Sequence, residues 1–279
     1  MPLFRSRDDK LLESLTKGVR LTLPANPGPD RMLDACRQYS PAAKPFRLNH
    51  DSIYADGKHF CLFPATTVSA EMAARAGLPP DITCAFFVGW AGATTGLDSR
   101  TSRMVDQQYV DKSKYLLGGL AARFGGLWYP RPDDVTRPLR VYVFTVRRAD
   151  EAGLEGMVAR YAGGLGPVET KWSSENVITL QGNGTPSLVQ FWPPDVAKMH
   201  TVVFAAGPGV PEVLDPAWAQ DDIAVITVEA AQAAEGADPG VARAVGTVGL
   251  GLAAETGGVC VDVFGFRVRD PADLVIRAQ

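Results

Sequence analysis

Apolar positions along the chain switch between the two spacings that distinguish helix from strand, and the switches recur in the same order in each half. Leu11, Leu12 and Leu15 fall at i, i+1 and i+4 and predict a short amphipathic helix over Asp8 to Thr16. Arg20 to Leu23 reads as a strand and Pro29 to Tyr39 as a helix. Ser52 to Ala55 and Lys58 to Phe63 are β-prone runs separated by Asp56-Gly57, the dipeptide that suits a two-residue type I′ turn. Ser69 to Ala76 predicts a short helix stopped by Gly77 and Pro79, and Ile82 to Trp90 a buried strand. A helix from about Ser102 to Phe124 then ends at Gly125-Gly126, and Leu127-Trp128-Tyr129 begins a closing strand.

The second half repeats this grammar. Leu139 to Val146 predicts a strand. Leu154, Met157, Val158 and Tyr161 place an apolar stripe on a helix over Asp150 to Tyr161. Val177 to Leu180 and Leu188 to Trp192 flank a longer turn, and Thr201 to Ala206 and Ile223 to Val228 are further strands. Pro239 to Ala254 reads as a helix, Gly257-Gly258 as its cap, and Val259 to Asp262 as the closing strand. In both halves the second hairpin strand runs into Phe and Pro: Phe63-Pro64, then Phe191-Trp192-Pro193-Pro194.

The repetition extends to residue identity. Leu117 to Trp128 aligns without a gap on Gly249 to Cys260, and six of the twelve positions match, among them Ala121/Ala253, Gly125/Gly257 and Gly126/Gly258. Self-similarity at a fixed offset is the mark of an internal repeat. We therefore expect an α+β fold from internal duplication: two tandem α/β-sandwich halves related by a pseudo-twofold, each an antiparallel or mixed sheet with helices packed on one face. An arm helix occupies residues 1–18, the first repeat 19–130 and the second 139–279. Residues 131–138 join them; with the preceding Pro130, the segment holds three prolines and four charges in nine residues, a stiff and solvated connector. Glycines inside the repeated helices (Gly118, Gly119, Gly246, Gly249, Gly251) weaken them by about 1 kcal/mol each, which argues for close backbone approach.

Composition narrows the picture. With 279 residues, 46% apolar and 21% charged, the chain has the make-up of a globular protein. A net charge of −3 offers no basic surface for nucleic acid, and no apolar run reaches the length that spans a bilayer. The N-terminus shows no signal-peptide pattern, and four widely spaced cysteines suit free thiols, so we expect a cytoplasmic protein. The wealth of Ala, Gly, Pro, Arg and Asp suggests a bacterial coding sequence rich in G and C.

Two clusters offer chemistry. A two-residue turn at Asp56-Gly57 sets Ser52 opposite Cys61 and Tyr54 opposite His59. It gathers His50, Ser52, Tyr54, His59 and Cys61 on one face and Ile53, Phe60 and Leu62 on the other. His50, His59 and Cys61 are then candidate ligands for a tetrahedral metal, with a half-exposed polar strand face as the plainer alternative. In the second half, Lys171-Trp172-Ser173-Ser174-Glu175 reads as a polar, aromatic binding loop, with packing of Trp172 over a sheet edge as its alternative. Trp128, Tyr129, Lys171, Trp172, Glu175 and Trp192 are the candidate partner-binding residues.

No phosphate-loop, nucleophile-elbow or zinc-protease motif is present, and three histidines leave little for acid–base catalysis. The expectation is a non-catalytic binding or adaptor protein without a cofactor, gripping a protein or peptide partner, which includes a second copy of itself. Its alternatives are an enzyme or metal-binding protein with a cleft between the halves, and a structural subunit of a larger assembly.

Overall fold

The computed structural model describes residues 6–46, 49–55, 60–90, 113–129, 138–145, 151–161, 169–173, 177–182, 185–192, 224–233 and 237–275. The fold is α+β, with antiparallel sheets and packed helices. Contacts divide the chain into two compact units, Met1–Asp133 and Asp134–Ala278.

In the first unit, helix α1 (Arg7–Lys17) opens with a capping box: Ser6 accepts from the Asp9 amide while the Asp9 carboxylate accepts from that of Ser6. Strand β1 (Arg20–Leu23) leads to α2 (Pro29–Tyr39), then to β2 (Lys44–Phe46), β3 (Asn49–Tyr54), β4 (Phe60–Leu62) and the two-residue β5 (Thr66–Thr67). Helix α3 (Ala70–Arg75), β6 (Cys84–Trp90), a helix α4 over residues 113–124 and β7 (Leu127–Tyr129) complete the unit. The sheet order is β2-β3-β4-β6-β1-β7, with β5 also on β6.

Alternation along β1 assigns the faces. Leu21 and Leu23 point one way with Phe86, toward α2 and α4, whose buried members include Met32, Leu117 and Leu120. Arg20 and Thr22 point the other way. On that face Ala85, Phe87 and Tyr129 pack with Leu11, Leu12 and Leu15 of α1 and Met72 and Ala73 of α3. The first sheet thus carries helices on both faces rather than on one. The arm helix is the cover for the second face, because three leucines on its stripe need an apolar surface and the sheet supplies it.

The second unit consists of β8 (Pro138–Thr145), α5 (Glu151–Tyr161), β9 (Glu169–Ser173), β10 (Val177–Gly182), β11 (Thr185–Trp192), β12 (Ala224–Ala233), α6 (Pro239–Thr256) and β13 (Val259–Asp262). Its sheet runs β13-β8-β12-β11-β10-β9. Val141, Val143, Ile226 and Val228 meet Val245, Val248 and Leu252 of α6 in one buried core, joined by Leu154 and Val158 of α5. In each sheet the opening strand lies between the closing and the penultimate strands, and the three earlier strands follow outward in reverse order. Among the described residues, the strands that the apolar pattern does not predict are β2, which contains a proline, the two-residue β5, and the largely polar β9. The candidate strand Thr201 to Ala206 and the connector up to residue 137 lie outside the described residues.

The repeated Gly-Gly has the same role in both units. Gly125 (φ 71°) and Gly257 (φ 66°) take the left-handed conformation that ends a helix, which glycine adopts without steric cost. The next amides close the cap: Gly126 N–H donates to Ala121 at 3.0 Å, and Gly258 N–H to Ala253 at 2.8 Å. A Cβ on Gly126 would collide with the Thr22 carbonyl oxygen and the Leu23 side chain; one on Gly258 would collide with the carbonyl oxygen of Phe144. The link from helix to closing strand is thereby held directly against the strand beside it, β1 in the first sheet and β8 in the second. A polar tie lies beside each contact. Arg123 of α4 donates to Gln38 of α2 at 2.9 Å, while Glu255 of α6 accepts from Arg160 at 2.7 Å and Tyr161 at 3.0 Å, both of α5.

Substitution should separate the two glycines of each pair. Gly126→Ala and Gly258→Ala force a methyl onto a strand carbonyl and are expected to cost about 3 kcal/mol each. At Gly257, where a Cβ would meet nothing within 4 Å, alanine adds only the left-handed backbone strain and should cost about 1–2 kcal/mol, and Gly125→Ala brings the same strain. Urea unfolding of the four variants checks the order.

Candidate functional site

The hairpin that carries the site has a different register from the one Asp56-Gly57 implies. Ile53 stands opposite Leu62 and Tyr54 opposite Cys61, and Ala55 N–H donates to the Phe60 carbonyl at 2.8 Å. The residues that join them, 56–59, lie outside the described residues. The strands slip by two positions, so every described side chain keeps its expected face; alternation specifies parity and is blind to a two-residue shift. The polar face is not half-exposed, however, since Ser52 and Cys61 are both buried.

Beyond Leu62 the ladder breaks. Leu62 is opposite Val88, and Phe63 N–H still reaches the Phe87 carbonyl at 3.0 Å. Pro64 has no N–H to donate, and pairing resumes only with Thr66 opposite Ala85. Four steps on one strand span three on the other, so Phe63-Pro64-Ala65 forms a bulge between β4 and β5. Strand β11 stays in register with β12 from Ser187 opposite Ala230 to Trp192 opposite Val225, and Pro193-Pro194 lie outside the described residues.

The bulge opens a cavity of about 170 Å³, lined by Asn26, Pro29, Met32, Ile53, Leu62, Phe63, Pro64, Ala65 and Phe86. Its floor is sheet, its wall the first turn of α2, and its lip the bulge. Phe63 is 46% exposed, the one large apolar side chain left in solvent among the described residues. Its ring lies over Gly89, where a Cβ would stand 2.7 Å from Phe63 Cε2 and 3.0 Å from Cζ, so glycine there makes room for the ring. No titratable group lines the cavity. Asn26 is its polar member, and its Oδ1 already accepts the Gly28 amide at 3.0 Å. Its lining side chains supply neither nucleophile nor base.

The residues singled out from sequence are dispersed. Trp128 is buried in β7, and Tyr129 lies under the Arg20 guanidinium, 3.8 Å from ring centroid to Cζ. Arg20 is itself only 3% exposed, donates Nη1 to the Gly18 carbonyl at 2.9 Å, and has its pKa lowered by burial, an effect that Tyr129 partly offsets. Tyr129 thus serves as the cushion for a buried cation. Lys171 and Trp172 belong to the outermost strand β9, opposite Thr179 and Ile178, and not to a loop. Short-range pairing to β10 wins because Trp and Thr favour a pleated surface. Trp192 ends β11. Glu175, His59 and the side chain of His50 lie outside the described residues. Among the described residues no group of three His, Cys, Asp or Glu side chains is placed to hold a metal.

The thiols are free and buried. Burial pushes Cys36 up to about 12 and raises Cys61 and Cys84; Cys260 rises through burial and the neighbouring Asp262 charge. Since the thiolate is the reactive form, none is activated at neutral pH. The cavity itself escapes sequence inspection because its lining spans positions 26 to 86 and most members read as core. The detectable signal is Phe63-Pro64, a proline that interrupts a strand of otherwise even alternation.

The native protein should release well below one equivalent of thiol to Ellman's reagent within minutes at pH 8, and all four cysteines after denaturation. Rapid release of a full equivalent from native protein would show an activated thiol. Comparison of the chain with family models, with curated proteins and with solved structures finds no match.

Proposed function

We propose that this chain is a non-catalytic binding protein that engages a peptide or protein partner at the bulge of its first sheet. The observation that carries the reading is the coincidence of an exposed Phe63 with an uncharged concave site built by that bulge. Bulges re-aim side chains and recur next to functional sites, and a lone apolar anchor beside a pocket is how partner surfaces begin. The second unit supports the reading by contrast: β11 stays in register with β12 from Ser187 to Trp192.

Two copies of one ancestral unit explain the matching strand orders, the matched Gly-Gly seats and the matched polar ties more simply than convergence does. In that account duplication supplies a stable scaffold and the bulge is a later specialisation of one copy. Free, buried thiols fit a reducing, cytoplasmic setting.

Panning the full-length chain against a displayed random-peptide library tests the proposal. Enriched peptides should bind the wild-type protein and lose about tenfold in affinity, or about 1.4 kcal/mol, to Phe63→Ser. Because Phe63 is exposed, that variant should stay within about 0.5 kcal/mol of wild type in stability. No enrichment, or enriched peptides indifferent to Phe63→Ser, would overturn the reading.

A further inference from the structure

We infer that the partner peptide docks as an extended strand on the open edge of β5, continuing the first sheet where the bulge leaves it unpaired. This rests on the peptide-binding reading above and names the mode of recognition.

Backbone direction is the first argument. Thr66 stands opposite Ala85, and Val68 N–H donates to the Thr83 carbonyl at 2.8 Å. Successive residues of an antiparallel strand aim their backbone groups to opposite sides, so Thr67 between them turns its N–H and C=O away from β6. Thr67 is exposed, and among the described residues neither group has a partner. The next strand outward, β3, pairs with β4 at Cys61 and Leu62 and not with β5. Other sheet edges are blunted. Pro45 lies in β2, and the chain after β13 folds back on it: Val268 N–H donates to Cys260 and Asp262 N–H to Phe266, each at 2.9 Å. An open edge is a template for a further strand, held by main-chain hydrogen bonds.

The surroundings are the second argument. Strand β5 forms one side of a groove of about 700 Å³ whose other walls are α1 and α3. Arg7 and Asp8 line it from α1, Glu71 and Arg75 from α3. Charges of both signs match the polar backbone and mixed side chains of a peptide, whereas Asp8 and Glu71 repel a polyanion such as nucleic acid.

Continuity with Phe63 is the third. Ala85, Phe87 and Gly89 alternate onto one face of β6, and Ala85 and Phe87 pack there with α1 and α3. The Phe63 ring lies over Gly89 and so on the face that carries the groove. From Phe63 to Thr67 the extended chain covers at most roughly 13 Å, a span that a peptide of about five residues bridges.

The test uses the full-length chain and peptides enriched on it. Hydrogen–deuterium exchange at the Thr67 amide should slow about tenfold or more at saturating peptide, while the Val68 amide, already bonded to β6, should change little. Thr67→Pro deletes the outward N–H and leaves the donors to β6 in place; it should weaken binding about tenfold. Thr67→Ser keeps the N–H and should bind as wild type does. An unchanged Thr67 exchange rate at saturation would overturn strand addition whatever the variants do, and leave peptide binding standing. A selection that enriches no peptide would overturn both.

Discussion

Each unit depends on one close approach: the turn from a helix into the closing strand is laid directly against a carbonyl of the opening strand beside it. The distance is short enough that the second glycine of the pair cannot carry a side chain, at Gly126 over Thr22 and at Gly258 over Phe144. From this seat the rest follows. The helix axis is fixed over the sheet, so its buried face meets the branched side chains of the central strands. Gly249 brings α6 to within 2.6 Å, Cβ position to Cγ2, of Val141, and Gly251 leaves no more than the space the Tyr161 ring needs. Glycine weakens a helix in isolation, but dense interdigitation recovers more than the propensity loses. The polar ties from Arg123 to Gln38 and from Glu255 to Arg160 and Tyr161 then lock the neighbouring helix in place.

This explains which parts of the fold can be read from sequence. Helices α2, α5 and α6 and strands β1, β6, β8 and β13 stand within a residue or two of where apolar spacing puts them, because burial on one stripe or one face writes a strong period. The matched Gly-Gly pairs are legible for a different reason: a steric requirement tolerates one residue type, so it leaves identities rather than a pattern. The hairpin shows the limit. Alternation told correctly which side chains share a face, yet the pairing of Tyr54 with Cys61 rather than His59 depends on loop length, on which periodicity is silent.

The misplaced elements have physical causes. Lys171 and Trp172 look like a loop because their stretch shows no alternation, whereas the pairing of β9 with β10 is made by backbone, which every residue provides. The arm helix reads as an appendage because its partners, Ala85, Phe87 and Tyr129, sit in strands that look fully accounted for by the other face. Trp128 and Tyr129 look like exposed aromatics at an edge, but one is buried and the other pairs with a guanidinium removed from water. For the arm helix and for Tyr129 the information lies in a contact between distant segments.

The candidate site extends that lesson. Where β11 keeps register with β12 from Ser187 to Trp192, β4 stops at Leu62 and three residues swing out before β5 resumes. Ile53 and Leu62 stand in the ladder as Ile178 and Val189 do in the second sheet, opposite each other on paired strands. A scaffold held by those close approaches can absorb such a bulge, because the break falls away from the strands that make them. The extra residue costs a ladder hydrogen bond that Pro64 could not have made in any case. What it yields is a concavity with an aromatic residue left in water at its rim. The Phe63 ring is about half covered there, lying over Gly89, whose missing side chain makes the room.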